Sequence, residues 1–412
     1  MTALTTSSTN PSSITIVGGS AVPAVRLDIV VPAGQAEQDC LLQAIFTNRL
    51  LREGTNRLSG DALSERLDHL GAWLELSTSV HHSFLTLYTL RRHADETFRL
   101  VADMLFHPTF PQDRFEVVRQ ANRSQHLVSL RRGDVVARRH FATAVYGPDH
   151  PCGRFAETAD YDKLCRSDLV RFHAAHYLST TPALFLSGDI DDDLVRLTEE
   201  CLATHWKPFE NKESSAPSSD CQPVSPKSGR EVLTSESATQ DSLRMGCLMM
   251  DVCDNDYHMM RIVTTALGGY FGSRLMRTIR EERGLTYGIQ AGLYTNTRQV
   301  LFVVSSEAAA GYGHDVADEV VRQCELLCAH PIPDDELRRI RAYMNGETLR
   351  NYESVYNLVD AHIFAHTHGL PSDHLQRAVE AVRTATPADL LAVARRWLRP
   401  DQFHTVIVTP QK

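Results

Sequence analysis

The stretch FHPTFPQD (106–113) recurs in outline as AHPIPDD (329–335). In both places one helix-like pattern stops and another starts. Proline cannot continue a helix, and it pushes the residue before it out of the helical region, so His107-Pro108 and His330-Pro331 read as stops. A proline followed by amide or acidic residues reads as a start, at Pro111-Gln112-Asp113 and Pro333-Asp334-Asp335. The two stops, Pro108 and Pro331, lie 223 residues apart. Working outward, the same order of patterns surrounds both. In the first half a strand-like run (24–31) precedes helical stretches at 35–52 and from Ser59-Gly60 to Gly71. Alternating runs at 73–79 and 82–90 follow, with Phe84, Thr86, Tyr88 and Leu90 on one face, and then a helix with Phe98, Val101 and Leu105 on one side. In the second half the series is a strand (243–250), helices at 255–267 and 273–284, and strands at 286–294 and 300–305. A helix carrying Val316, Val320, Cys324 and Leu327 completes it. A repeated His-Pro pair can arise by chance, but the repeated order around it predicts a duplication.

The expected fold is α+β. It consists of two homologous domains, each a mostly antiparallel sheet with helices packed on one face. Between them, residues 210–230 hold six Ser and three Pro with almost no large apolar residue, the composition of a linker. The divisions are then a flexible tail (1–12, rich in Ser and Thr), an N-terminal domain (13–209), the linker (210–230) and a C-terminal domain (231–412). The 412 residues are 42% hydrophobic and 23% charged, enough to bury sizeable cores. A net charge of −9 with no basic block argues against nucleic acid as the main partner. No run approaches the roughly 18–20 apolar residues of a membrane span. The start lacks the basic and apolar regions of a signal peptide. Nine scattered cysteines, an odd number, fit reduced thiols in a cytoplasmic setting better than a disulfide framework.

The sharpest chemical segment is GSRLMRTIREERGLTYG (272–288). Arg280 falls on the last helical turn before Gly284, and Tyr287 begins the next strand. A tight helix–Gly–strand turn can aim both side chains into one cleft. There a guanidinium fork and a phenol can hydrogen-bond an oxygen that gains charge in a transition state. The plainer reading is an exposed arginine at a helix C-terminus and a packed strand tyrosine.

The run SRLMRTIREERGLTYGI resembles the segment carrying the Arg/Tyr pair of the inverted-zincin peptidases, the family of pitrilysin, insulin-degrading enzyme and mitochondrial processing peptidase. The duplicated halves, YGPDHPCGR (146–154) and LFLSGDI (184–190) before a helix extend the likeness over nearly the whole chain. The resemblance implies two α/β rolls forming half of a clam shell, with Arg280 and Tyr287 matching the pair that holds the scissile carbonyl of a substrate. It also exposes a departure. Active members carry H-x-x-E-H shortly before a Gly-Thr, and its histidines plus a distant glutamate bind zinc. Here Gly54-Thr55 is preceded by Ile45, Asn48 and Arg49 at those three positions. Isoleucine has no donor atom, and arginine keeps its proton and repels a cation. The third ligand should fall near Gln125, and no carboxylate occurs from Val117 to Leu130.

Other metal candidates are weaker. His362, His366 and His368 share a helix-like stretch, with His362 and His366 on one face, but a solvated helix end explains them equally well. Cys324, Cys328 and His330 cluster, yet Cys324 lies on an apolar stripe. His81 and His82, adjacent on a strand, face opposite ways. Cys247 and Cys253 fit no zinc spacing, and the acidic run 189–193 reads as a strand-end turn capping a helix.

By resemblance, the leading expectation is a zinc-free, substrate-binding subunit of a heterodimeric metallopeptidase. It has no metal or cofactor of its own, and zinc sits on a homologous partner bearing H-x-x-E-H. Arg280 and Tyr287 then complete the site for peptides or unfolded segments in trans. The alternatives are a structural scaffold of the same fold, alone as a homodimer or in a larger complex, and a hydrolase using the His362 cluster.

Overall fold

The computed structural model describes residues 5–7, 14–20, 22–202, 205–206, 228–296 and 298–411. The first half runs β1 (Thr5–Ser7), β2 (Ile14–Gly18), β3 (Ala24–Val31), α1 (Gln43–Leu50), α2 (Gly60–His69), β4 (Trp73–Thr78) and β5 (Ser83–Leu90). It continues with α3 (Ala94–Phe106), α4 (Gln112–Ser129), α5 (Gly133–Tyr146), α6 (Thr158–Lys163), α7 (Arg166–Phe172), β6 (Ala183–Gly188) and α8 (Asp192–Cys201). The second half repeats the series as β7 (Gly229–Ser235), β8 (Asp241–Asp251), α9 (Tyr257–Thr264), a wide helical segment (Met276–Glu282), β9 (Thr286–Tyr294) and β10 (Gln299–Ala308). It ends with α10 (Gly313–Ala329), α11 (Asp334–Asn351), α12 (Val355–His368), α13 (His374–Thr384), α14 (Pro387–Trp397) and β11 (His404–Pro410).

The two sheets have matching topology. Their orders are β1-β2-β6-β3-β5-β4 and β7-β11-β8-β10-β9. All pairings are antiparallel except β2 with β6 and β7 with β11. The duplication read from the His-Pro stops is thus an element-by-element repeat. The fold is that of two mostly antiparallel α+β domains, as expected. α3 and α10 end at His107 and His330, where the prolines forbid a further turn. The helix expected over 35–52 forms only from Gln43, because Leu42 takes a left-handed backbone that helix cannot include. Thr5–Ser7, expected within a flexible tail, pair with Ile14–Ile16 as an added edge strand. The linker expected at 210–230 lies outside the described residues up to 227, and from Gly229 the chain is strand β7.

The helical cover differs from the expected single face. β3 is buried along almost its whole length. Val25, Leu27, Ile29 and Val31 join the main core with Phe46, Phe98 and Leu105. The opposite face is also covered: Val30, Val17, Ala183 and Phe185 pack against Val359 of α12. On the second sheet, Leu248, Leu301, Val303, Val406 and Val408 pack against Ala137, Phe141 and Val145 of α5. A strand apolar on both faces needs two layers, and the second layer is in each case one helix from the other half of the chain. The compact units are accordingly discontinuous. Residues 125–155 group with the second and 351–369 with the first, so neither unit coincides with 13–209 or 231–412.

Beneath α12 the first sheet carries a buried polar network. Arg26 (6% exposed) donates to both oxygens of Asp28 (2% exposed) at 2.8 and 2.9 Å, and to the Tyr356 carbonyl at 2.7 Å. It also donates to Asp360 at 2.5 Å. Thr86 donates to Asp28 at 2.7 Å, and the Tyr356 hydroxyl donates to the Ala24 carbonyl at 2.8 Å. The strand's two-residue period puts Arg26 and Asp28 on one face, the one α12 covers.

Candidate functional site

The turn around Gly284 carries both Arg280 and Tyr287. The helical segment Met276–Glu282 is anchored by buried Met276, Thr278 and Ile279. It ends as the Gly284 amide donates to the Arg280 carbonyl at 3.2 Å and the Leu285 amide donates to Ile279 at 3.0 Å. Gly284 sits at φ +65°, a left-handed position that glycine adopts without penalty. β9 then begins under tight control. The Thr286 hydroxyl donates to the Glu307 carbonyl at 2.7 Å, and Ser306 donates back to it at 3.0 Å. Pinning Thr286 inward leaves its neighbour Tyr287 outward, 89% exposed.

Arg280 differs from the arginines around it. Arg274 pairs with Glu336 at 2.8 Å, Arg277 with Glu282 at 3.7 Å and Arg283 with Glu319 at 4.0 Å. Arg280 has no carboxylate partner among the described residues. Its guanidinium lies over the ring of Phe271, 4.6 Å from the centroid, and that ring is itself 63% exposed. Stacking fixes the plane of the fork and leaves its N–H groups free. The duplication supplies an internal comparison. Gly71, at φ +63°, ends α2 as Gly284 ends its helix. At the same offsets from Gly71 stand Leu67 and Leu74, both in the core. The matching turn at Gly71 thus folds with apolar residues at these positions.

The residues at the zinc-motif positions are engaged otherwise. Asn48 on α1 is buried and donates to the carbonyls of Ser77 (2.7 Å) and Phe84 (3.4 Å), tying the helix to the β4–β5 pair. Its Oδ1 is buried without a partner. Arg49 is exposed and donates to Asn122 on α4, while Ile45 is half-buried. Gln125, on α4, is exposed. A single amide oxygen beside a guanidinium does not fit zinc, which takes thiolate, imidazole or carboxylate ligands in a tetrahedron.

Among the described residues, no group of three His, Cys, Asp or Glu is arranged to hold a metal. His362, His366 and His368 lie on α12, where His366 meets the ring of Phe185 and His368 meets Phe364. Cys324 is buried in the core, and the Cys328 thiol donates to the Leu398 carbonyl at 3.3 Å. Asp191 caps α8 by accepting from the Leu194 amide at 2.8 Å. Sequence reading missed the surroundings of His82. Burial, helped by the nearby charges of His81, His366 and His368, holds its pKa down to about 4. No local signal joins His82 to a helix almost 300 residues later.

Residues 163–344 match the family model of the Peptidase M16 inactive domain. Over those residues the chain is similar to that family. A solved Peptidase M16 inactive domain from Pseudomonas fluorescens superposes with a TM-score of 0.89, covering 99% of this chain and 98% of that one. At 21% identity, that likeness shows the fold alone. An uncharacterized zinc protease of Streptomyces coelicolor is 24% identical over 365 residues, 85% of this chain and 77% of the relative. A non-peptidase homolog from Helicobacter pylori is 24% identical over 244 residues, 58% of this chain and 55% of that one. The matched segment includes Arg280 and Tyr287 and does not include α1, where Ile45, Asn48 and Arg49 stand.

Proposed function

We propose that this M16-like chain is the substrate-holding subunit of a two-chain zinc peptidase, completed by a partner bearing H-x-x-E-H. One observation carries the reading. Arg280 is charged, stacked and unpaired beside an exposed Tyr287, in a chain whose zinc-motif positions hold Ile45, Asn48 and Arg49. The partner's zinc supplies Lewis-acid chemistry and an activated water. This chain contributes hydrogen bonds. Arg280 donates from its fork and Tyr287 from its hydroxyl to the carbonyl oxygen as it gains charge. Both bonds strengthen in the transition state, so they accelerate turnover rather than only tighten binding. The substrates are peptides or unfolded segments. Among the described residues no disulfide joins the cysteines, which suits a reducing compartment, and the cytoplasm is the proposed location.

The test is turnover by the reconstituted pair. Arg280→Ala and Tyr287→Phe should each lower kcat by about 10²–10³-fold, the range for one oxyanion donor, with co-purification of the partner unchanged. Wild-type turnover in the double variant would overturn the mechanism and favour a scaffold role.

A further inference from the structure

The second sheet carries an unmatched positive charge away from the Gly284 turn. Arg244 on β8 is half-buried, and among the described residues it makes no hydrogen bond or ion pair. Its register places Ser305 of β10 directly opposite, and Ser305 in turn faces Gln290 of the edge strand β9. These three residues form one row on the sheet face that α5 covers farther along. The helix contributes Arg138, exposed and close enough for its charge to act on Arg244, and Tyr294 of β9 is near as well. Two carboxylates, Asp134 and Glu307, lie close enough for their charge to act on Arg244, but neither forms an ion pair with it. Asp134 is held by both arms of Arg132, at 3.0 and 2.9 Å. Glu307 accepts the Ser242 hydroxyl at 2.6 Å, and burial favours its neutral form. Gly288 has open space where a side chain would stand, and Gln290 is exposed, so the β9 edge leaves the row accessible.

A half-buried guanidinium facing a second one is costly unless an anion joins them. We infer that Arg244, with Arg138, Ser305 and Gln290, binds a carboxylate of a peptide, either an acidic side chain or a free C-terminus. Arg244 offers the fork, Arg138 adds attraction, and the Ser305 hydroxyl and Gln290 amide supply neutral donors. The peptide identity of the ligand rests on the substrate-holding reading; the anion site does not.

Binding to the full chain alone, without any partner, separates the two. Fluorescence anisotropy would use a labelled ten-residue peptide ending Glu-Asp, its C-terminal amide, its Gln-Asn counterpart, and the neutral amide of that counterpart. The acidic peptide should bind in low salt and weaken about tenfold in Arg244→Gln, less in Arg138→Gln, with the neutral amidated peptide indifferent to both. Loss on amidation alone assigns the C-terminus; loss on Glu/Asp neutralisation alone assigns the side chain. Equal binding of acidic and neutral peptides, no binding of either, or an affinity unaltered in both Arg138→Gln and a folded Arg244→Gln would overturn the site. Turnover of the reconstituted pair plays no part in this readout, so an inactive Arg280 variant with intact peptide binding leaves it standing.

Discussion

At the scale of single residues, two arginines, one on a strand and one on a helical turn, illustrate opposite uses of one side chain. Arg26 is buried and fully paired, and its work is structural. Removing it strands Asp28, whose other contact is the Thr86 hydroxyl, in a nearly dry site. Loss of one partner from a buried ion pair typically costs about 3–5 kcal/mol. Arg26→Ala should therefore lower the stability measured by urea unfolding by that amount, whereas Arg280→Ala should leave it almost unmoved. A destabilised Arg280 variant would mean that the stack on Phe271 is structural after all. Arg280 was legible as a candidate in the sequence because a helix-end arginine, a glycine and a strand tyrosine stand at short spacing. Its lack of a partner was not, because Glu336, Glu282 and Glu319 are claimed by its neighbours only in the folded unit.

At the scale of elements, the contact of α12 with the first sheet should be pH-sensitive. His82 precedes β5 and is held neutral by burial and by His81, His366 and His368, with its pKa down to about 4. The unfolded chain takes a proton on this histidine near pH 6.5, and the folded chain resists it down to about 4. Stability from this group is thus complete above pH 6.5 and is lost as the pH falls toward 4. The slope is at most about 1.4 kcal/mol per pH unit. Thermal unfolding between pH 4 and 7 should show the fall, and His82→Gln should flatten it; an unchanged slope would place the sensitivity elsewhere. Short-range patterns made the strands and most helix ends readable. The failures have particular causes: Leu42 in a left-handed conformation delays α1, and the period-2 reading of 82–90 could not tell which face is core. Leu85 and Leu87 join the main core, while Phe84 packs toward α12.

At the scale of the whole molecule, the exchange of α5 and α12 makes the halves interdependent. A fragment 1–209 lacks the helix that covers Val30 and Phe185, and a fragment 228–412 lacks the one that covers Leu301 and Val406. Each should behave as a loosely packed species with weak near-ultraviolet circular dichroism, and mixing the two should restore native signal. Independent folding of either fragment would show the second helical layer to be dispensable.

The sequence by itself determined the duplication, the strand and helix order, the missing zinc ligands and the Arg280/Tyr287 candidate. These are local matters: proline geometry, side-chain period and the donor chemistry of single residues. Only the tertiary structure decided that each sheet is covered on both faces, that α5 and α12 serve the other half's sheet, and that among the described residues Arg280 and Arg244 go unpaired while Arg26 does not. Those depend on which groups the fold brings to the same neighbour, a question that no periodicity along one chain can answer.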